Sequence, residues 1–250
     1  MKVSIITVCL NSAETIEETI RSILSQDYKD IEYIVVDGGS TDGTLDVLAT
    51  YRSRIHRCIS EPDGGIYHAM NKGIKLSTGD IVGFLNSNDT YTGQCVIRRI
   101  VQAIQTNNTD CCYGDLEYVA RNNSERIVRM WKSQPYRHGL FEKGWHPPHP
   151  TFFAKKDILN KHGYFNPSYN ISADYELMLR LLKKHGIKSC YIPSVLVKMR
   201  MGGNSSKNLW RILKANVQCY QAWRQNGLNI SPFIALRKPM SKLRQFIRKA

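Results

Sequence analysis

Apolar positions in the N-terminal half of the chain follow two rhythms that take turns. Val3 to Val8 is a mostly apolar, β-branched run and predicts a buried strand. Ile16, Ile20, Ile23 and Leu24 then recur at helical spacing. Asn11 and Ser12 are candidate caps for that helix, and Glu14, Glu17 and Glu18 suit the positive end of its dipole. The alternation continues with a strand over Ile31–Val36, a short helix over Leu45–Tyr51, a strand over Arg54–Ile59, a helix over Ile66–Leu76 and a strand over Ile81–Leu85. Strands and helices in strict rotation predict a mainly parallel sheet covered by helices on both faces, a Rossmann-like α/β fold.

Beyond this point the rhythm changes. Gln94–Gln105 reads as a helix, and Cys111–Val119 with Arg126–Trp131 as an antiparallel pair across the polar turn "ARNNSE". A loop rich in Pro, His and aromatics follows, "YRHGLFEKGWHPPHPTFF". Asp174–His185 predicts an amphipathic helix with Leu177, Leu181 and Leu182 inward, and Lys188–Val197 a strand. From Ser205 two helices are expected, broken at "NGLNISP". Leu209, Trp210, Leu213, Val217 and Tyr220 form a stripe expected to pack on the main body.

Composition sharpens this picture in two places. The net charge of +14 is confined to one end: the last acidic residue is Glu176, and 16 Lys and Arg follow it, leaving 19 basic against 21 acidic before it. A positive C-terminal third implies an anionic partner. In the final "PFIALRKPMSKLRQFIRKA", Phe233, Leu236, Met240, Leu243 and Ile247 share one face and the basic residues lie mainly elsewhere, the pattern of a helix lying on an anionic membrane. Secondly, the seven cysteines include no CxxC pair, which argues against a zinc site and suits a reducing compartment. No apolar run approaches membrane-spanning length, and the N-terminal run passes directly into an acidic helix, so it is read as a strand and not as a leader.

Candidate chemistry sits where predicted strands end. Asp37 opens "DGGSTDGT", Asp63 lies in "EPDGG", and "NSND" ends at Asp89. Each alone suits an ordinary turn. In an open parallel sheet all three face one crevice beyond the carboxyl ends of the strands, where such folds bind ligands.

Five segments in order, "SIITVCLNS", "IEYIVVDGGSTDGT", "SEPDGGIYHAMNKGI", "STGDIVGFLNSND" and "ISADYELMLRL", together resemble the family 2 glycosyltransferases of GT-A fold, of the bacterial colanic-acid, O-antigen and exopolysaccharide type. The resemblance covers residues 1–206 and implies a GT-A catalytic domain over 1–204, with 205–250 as a basic amphipathic, membrane-associating helical extension. It implies an inverting, metal-dependent hexosyltransferase. Such an enzyme carries a sugar from a UDP-sugar donor to a polyprenyl-diphosphate-linked sugar acceptor, giving a β-linked product, on the cytoplasmic face of the plasma membrane. By position, Asp37 and Asp63 fall beside the nucleotide, Asn71 and Lys72 line the donor cleft, Asp89 ligates Mn2+ or Mg2+, and Asn88 contacts the ribose or supports the metal. Relatives carry a second aspartate at Gly38, so base recognition leans on Asp63. Asp174 matches the general base, with Glu176 as its substitute. His149 and Trp145 belong to the acceptor or sugar pocket, and Lys198 with Arg200 precede a Gly-rich loop suited to closing over the diphosphate. One carboxylate suffices for the metal because diphosphate oxygens and water complete its shell. Gly38 and Asn88 also suit a catalytically weak nucleotide-sugar binder. The basic charge alone suits a nucleic-acid-binding protein, but no aromatic-basic motif of a known module accompanies it.

Overall fold

The computed structural model describes residues 1–202 and 209–230. The first half folds as the alternation predicts: β1 (Val3–Cys9), α1 (Ile16–Leu24), β2 (Ile31–Asp37), α2 (Thr44–Thr50), β3 (Arg57–Ser60), α3 (Ile66–Leu76) and β4 (Ile81–Phe84). These four strands are mutually parallel in the order β3-β2-β1-β4. The third strand starts later than expected. The Arg54 and Ile55 amides both bond the Tyr51 carbonyl, so these residues close the end of α2 instead of joining the sheet.

The second half completes a nine-stranded mixed sheet. It comprises β5 (Asp89–Tyr91), α4 (Val96–Thr106), β6 (Cys111–Ala120), β7 (Asn123–Trp131), β8 (Phe153–Lys155), α5 (Lys156–His162), α6 (Ala173–Met178), β9 (Ser189–Arg200) and α7 (Leu209–Gln225). The sheet runs β3-β2-β1-β4-β8-β6-β9-β5, with β7 paired to β6. The β6–β9 pair is parallel, whereas β8 pairs antiparallel with β4 and β6, and β5 antiparallel with β9. The sheet is thus mainly parallel, with the parallel β6–β9 ladder extending the pattern of the first half, and β5, β7 and β8 are its antiparallel members. The helix expected over Asp174–His185 is two pieces: α6, then a π-helical turn over Leu179–Lys184.

The pleat sends alternate residues of each strand to opposite cores. Val3 and Ile5 with Tyr33 and Val35 meet α1 and α4 through Ile16, Ile20, Ile97 and Ile100. Ile6 and Val8 with Ile34 and Val36 meet α3, α6 and α7 through Met70, Ile74, Leu177 and Trp223. Gly83 in β4 serves this packing: a Cβ there would stand 1.9 Å from the Phe153 ring.

The face that α7 buries is not the predicted stripe. Cys219, Ala222 and Trp223 are buried, whereas Trp210, Leu213 and Val217 are 80%, 55% and 54% exposed. Hydrogen bonds set the rotation of the helix. The Gln218 Oε1 accepts from the Ile171 and Ser172 amides, Trp223 Nε1 donates to the Tyr175 hydroxyl, and Asn226 Nδ2 donates to Glu176. Tyr220 alone of the predicted stripe, Leu209 aside, packs partly against the core. The boundary expected at 204/205 and the amphipathic segment from Phe233 lie outside the described residues, as do Gly203–Ser206 of the Gly-rich loop.

Candidate active site

Because β1, β2 and β4 are parallel, their carboxyl ends share one edge of the sheet, and the polar turns gather there. The loops after β1 and β4 touch directly, Ser12 Oγ lying 2.8 Å from Ser87 Oγ. Asn11 adopts a left-handed backbone (φ 50°) and takes the Thr41 amide on its side-chain oxygen, stitching the same loop to the turn after β2.

Asp37 is fully buried at the end of β2. Its carboxylate accepts from the Gly39 and Ser40 amides, the Ser40 and Ser60 hydroxyls and the Cys9 thiol. Burial alone would raise its pKa, but these donors outweigh it and hold the group below the usual carboxylate range. The expected place beside a nucleobase does not fit a carboxylate committed on every side. Asp37 shapes the turn instead. Asp37 also anchors the start of the turn after β3, through Ser60 and the Glu61 amide, and Asp63 lies in that turn: its Oδ1 pairs with Lys72 Nζ at 2.7 Å, and its Oδ2 is buried without a partner among the described residues. A Cβ on Gly38 would lie 3.7 Å from that Oδ2, so Asp63 borders the space a side chain at 38 would fill. Lys72 also pairs with Glu61 at 2.6 Å.

Asp89 begins β5, in register with Met199 of β9, and is fully buried. Both its carboxylate oxygens lack partners, as does Asn86 Oδ1. Burial pushes its pKa up to about 7, against weaker pulls from the Arg200 amide and the Asn86 side chain. Thr19 of α1 donates to the Asp89 carbonyl at 2.8 Å and fixes the backbone. Unpaired buried carboxylate oxygens are costly and rare, and they mark a place for an added donor or cation. The set is all oxygen, which suits a hard divalent cation. Among the described residues no group of three or more His, Cys, Asp or Glu stands ready for a metal.

Asp174 in α6 takes a hydrogen bond from the Tyr67 hydroxyl at 3.3 Å, while that hydroxyl also donates to the Ile171 carbonyl at 2.8 Å. The Tyr118 phenol of β6 is raised first by burial, then lowered by Arg129, whose guanidinium lies 3.9 Å from the ring centre, and raised again by the charges of Asp89 and Asp174. Trp131 stacks on Tyr118.

Other expected residues are spent on structure. Asn71 clamps the Phe165 backbone with both ends of its amide, at 2.8 and 3.0 Å. Glu176 is buried between Arg180 (2.8 Å) and Asn226 (2.9 Å), so it does not substitute for Asp174. Arg200 binds Glu18 and the Arg121 carbonyl rather than standing free. Trp145 packs among Tyr113, Tyr136 and Phe141, its Nε1 buried without a partner. His149 stacks on Phe84 and meets Phe165 edge-on, beside an apolar void of about 10 Å³ that is too small for a sugar ring. Burial lowers its pKa against the opposing pull of Asp174, which favours neutral imidazole, and its Nε2 has no partner. Asn88 is half-buried beside Asp89. Tyr67, Tyr118 and Arg129 were not predicted. Tyr67 had one available signal, since it lies on the same predicted helix as Asn71 and Lys72. Tyr118 and Arg129 had none beyond an aromatic and a cation in neighbouring strands.

Residues 4–164 match the sequence model of glycosyl transferase family 2, well over half the chain. The chain is 32% identical over 183 residues to an uncharacterized glycosyltransferase of Mycobacterium tuberculosis, covering 71% of this chain and 68% of that one. It is 28% identical over 214 residues to the Escherichia coli UDP-Glc:alpha-D-GlcNAc-diphosphoundecaprenol beta-1,3-glucosyltransferase WfgD, covering 85% and 82%. In fold it is similar to Staphylococcus aureus TarS 1–349 in complex with UDP-GlcNAc (TM-score 0.69, 17% identity, 98% of this chain and 73% of that one). It is also similar to the mannosyltransferase PcManGT of Pyrobaculum calidifontis in complex with GDP-Man and Mn2+ (TM-score 0.66, 19% identity, 97% and 69%). With a GT-A-like mixed sheet, its polar turns gathered at the strand ends, and a sequence that matches along most of its catalytic half, this chain belongs to glycosyl transferase family 2.

Proposed function

We propose that the protein is an inverting hexosyltransferase that moves a sugar from a UDP-sugar to a sugar carried on a polyprenyl diphosphate, in assembly of a bacterial surface polysaccharide. The observation that carries this reading is Asp89, buried at the strand ends with both carboxylate oxygens unpartnered among the described residues, with Asp174 bonded to the Tyr67 phenol as the second carboxylate. The lipid-linked acceptor is supported by the likeness to WfgD, whose name gives a diphosphoundecaprenol acceptor.

The roles divide as follows. Asp63 offers its free Oδ2 to a donor group on the nucleoside, such as an imide N–H or a ribose hydroxyl, and Asp37 anchors the start of the turn that carries it. Asp89, with Asn86 and Asn88 oxygens nearby, would hold Mn2+ or Mg2+. When bound, such an ion supplies Lewis-acid stabilisation of the charge that develops on the diphosphate. Asp174 accepts the proton of the attacking acceptor hydroxyl. The bond from that oxygen to the anomeric carbon forms as the bond to the diphosphate breaks, through an oxocarbenium-like state, and single displacement inverts the anomeric centre. Tyr67 orients Asp174 by its hydrogen bond. The basic residues after Glu176, including those in residues 231–250, suit contact with an anionic membrane, where a polyprenyl acceptor resides.

The test is transfer from UDP-sugars to a lipid-diphosphate-linked sugar, with manganese present. Asp174→Asn is expected to lower kcat by roughly 10²–10⁴-fold. Asp89→Ala is expected to lose the manganese dependence together with transfer. Near-normal transfer by both variants would refute the assignment. Tight UDP binding without turnover on any acceptor would favour the weak binder that Gly38 and Asn88 suggest.

A further inference from the structure

The helix α7 is apolar on two opposite sides. One side, with Cys219, Ala222, Trp223 and Asn226, is buried against α6 and the core. The other carries Trp210, Leu213 and Val217 at i, i+3 and i+7, all more than half exposed. A helix with two apolar stripes has two neighbours. Among the described residues the chain supplies one of them. We infer that the second neighbour is an anionic lipid bilayer, and that the outer face of α7 is the surface on which the protein sits.

Charge selects this occupant. Lys214 lies exposed within the same turns, Arg224 is exposed further along, and no acidic residue occurs anywhere after Glu176. Two copies of this face brought together would oppose cation to cation, whereas anionic headgroups complement them. Trp210 is 80% exposed, which is unusual for so large an apolar ring, and tryptophan favours the headgroup boundary of a bilayer. Position agrees with charge. Gln218 and the Ala215 carbonyl bind α7 to residues 170–172, directly before Asp174. The proposed lipid-facing stripe and the proposed base thus lie on two packed helices, α7 and α6. A lipid-tethered acceptor would be presented on the same side of the molecule. The inference deepens the reading of a lipid-linked acceptor, but its test needs no turnover.

The full chain is mixed with vesicles of phosphatidylcholine alone, or with phosphatidylglycerol added, and floated on a density gradient while tryptophan emission is recorded. Flotation with the anionic vesicles and a blue shift of emission are expected, weakened by high salt. In the double variant Trp210→Glu, Leu213→Glu, partition is expected to fall at least tenfold and the blue shift to vanish. UDP-sugar binding and melting temperature should stay as in the unmodified chain, because both side chains lie at the surface. Equal flotation of the variant, no flotation of the unmodified chain, or a lipid-independent dimer that the variant dissolves would each overturn the inference. Flotation as expected from a chain that transfers no sugar would sink the enzymatic reading and leave this one standing. Transfer without flotation would do the reverse.

Discussion

At the scale of single residues, the telling contrast is between carboxylates that are satisfied and one that is not. Asp37 has donors on every side, whereas Asp89 is equally buried and, among the described residues, has no donor within full hydrogen-bond geometry, only the weaker pulls of the Arg200 amide and Asn86. The ordinary pKa of 3.8 for Asp89 rises with folding to about 7. Between those values the native state keeps a proton that the unfolded chain has released, so folding stability falls as pH rises from about 4 to about 7 and levels off above. Asparagine at this position escapes that cost. Without divalent cation at pH 8, Asp89→Asn is therefore expected to melt higher than the unmodified protein, by the equivalent of a few kcal/mol at most. With manganese and UDP the order should reverse, because only the carboxylate gains from the ion. Differential scanning fluorimetry with and without manganese reads both effects.

The motifs made Asp89, Asp63 and Asp174 legible as positions, but not which carboxylates are free to act. That distinction is written in partners far along the chain. Asp37 is neutralised as a ligand partly by Ser60, Glu176 by Asn226, and Asn71 by the Phe165 backbone. None of these pairings has a signature in local sequence, since each depends on where the fold returns.

At the scale of elements, the period-2 and period-3.6 rhythms located the N-terminal strands and helices to within a few residues, because each buries one face against a neighbour close in sequence. The C-terminal half resisted for the opposite reason. The antiparallel insertion of β8 between β4 and β6 joins segments separated by long stretches of chain, and its three residues are too few to show a period. Periodicity also chose the wrong face of α7, because both faces are apolar and polar anchors, Gln218 and Asn226, decide which one is buried. Those anchors set the next expectation. Replacing Glu176 by alanine leaves the buried Arg180 charge with backbone carbonyls but no carboxylate and removes a partner from Asn226, and should cost roughly 3 kcal/mol in urea unfolding. Assayed where it remains folded, the variant should keep its kcat within a few-fold, unlike Asp174→Asn. A loss of kcat comparable with that of Asp174→Asn, at unchanged stability, would restore Glu176 to the chemistry.

At the scale of the whole molecule, the two edges of the sheet have separate tasks. The carboxyl edge gathers unsatisfied polar groups. The opposite edge is closed by Glu32, buried where β2 begins and receiving the Ser4 hydroxyl, the Thr78 amide and hydroxyl, and Lys2. Burial would raise its pKa, but the hydrogen bonds prevail and bring it from 4.5 down to about 2. Its contribution to stability is thus complete above pH about 4.5 and is lost as pH falls through about 2. Glu32→Gln should unfold at lower urea at pH 7, by roughly 1–3 kcal/mol, with transfer unchanged once folded, and the gap to the unmodified protein should narrow in acid.

One helix touches both proposed halves of the site. From α3, Tyr67 reaches Asp174, Asn71 grips the backbone of the loop at Phe165, and Lys72 holds Asp63. A helix fastened at three points within two turns moves as one piece. On the proposed function, any influence that nucleotide-sugar binding at Asp63 has on acceptor binding at Asp174 through this helix is returned by the same factor in the other direction. A lineage that changes its donor by reshaping α3 would then disturb its acceptor in the same mutation, so the two preferences are expected to drift together rather than singly.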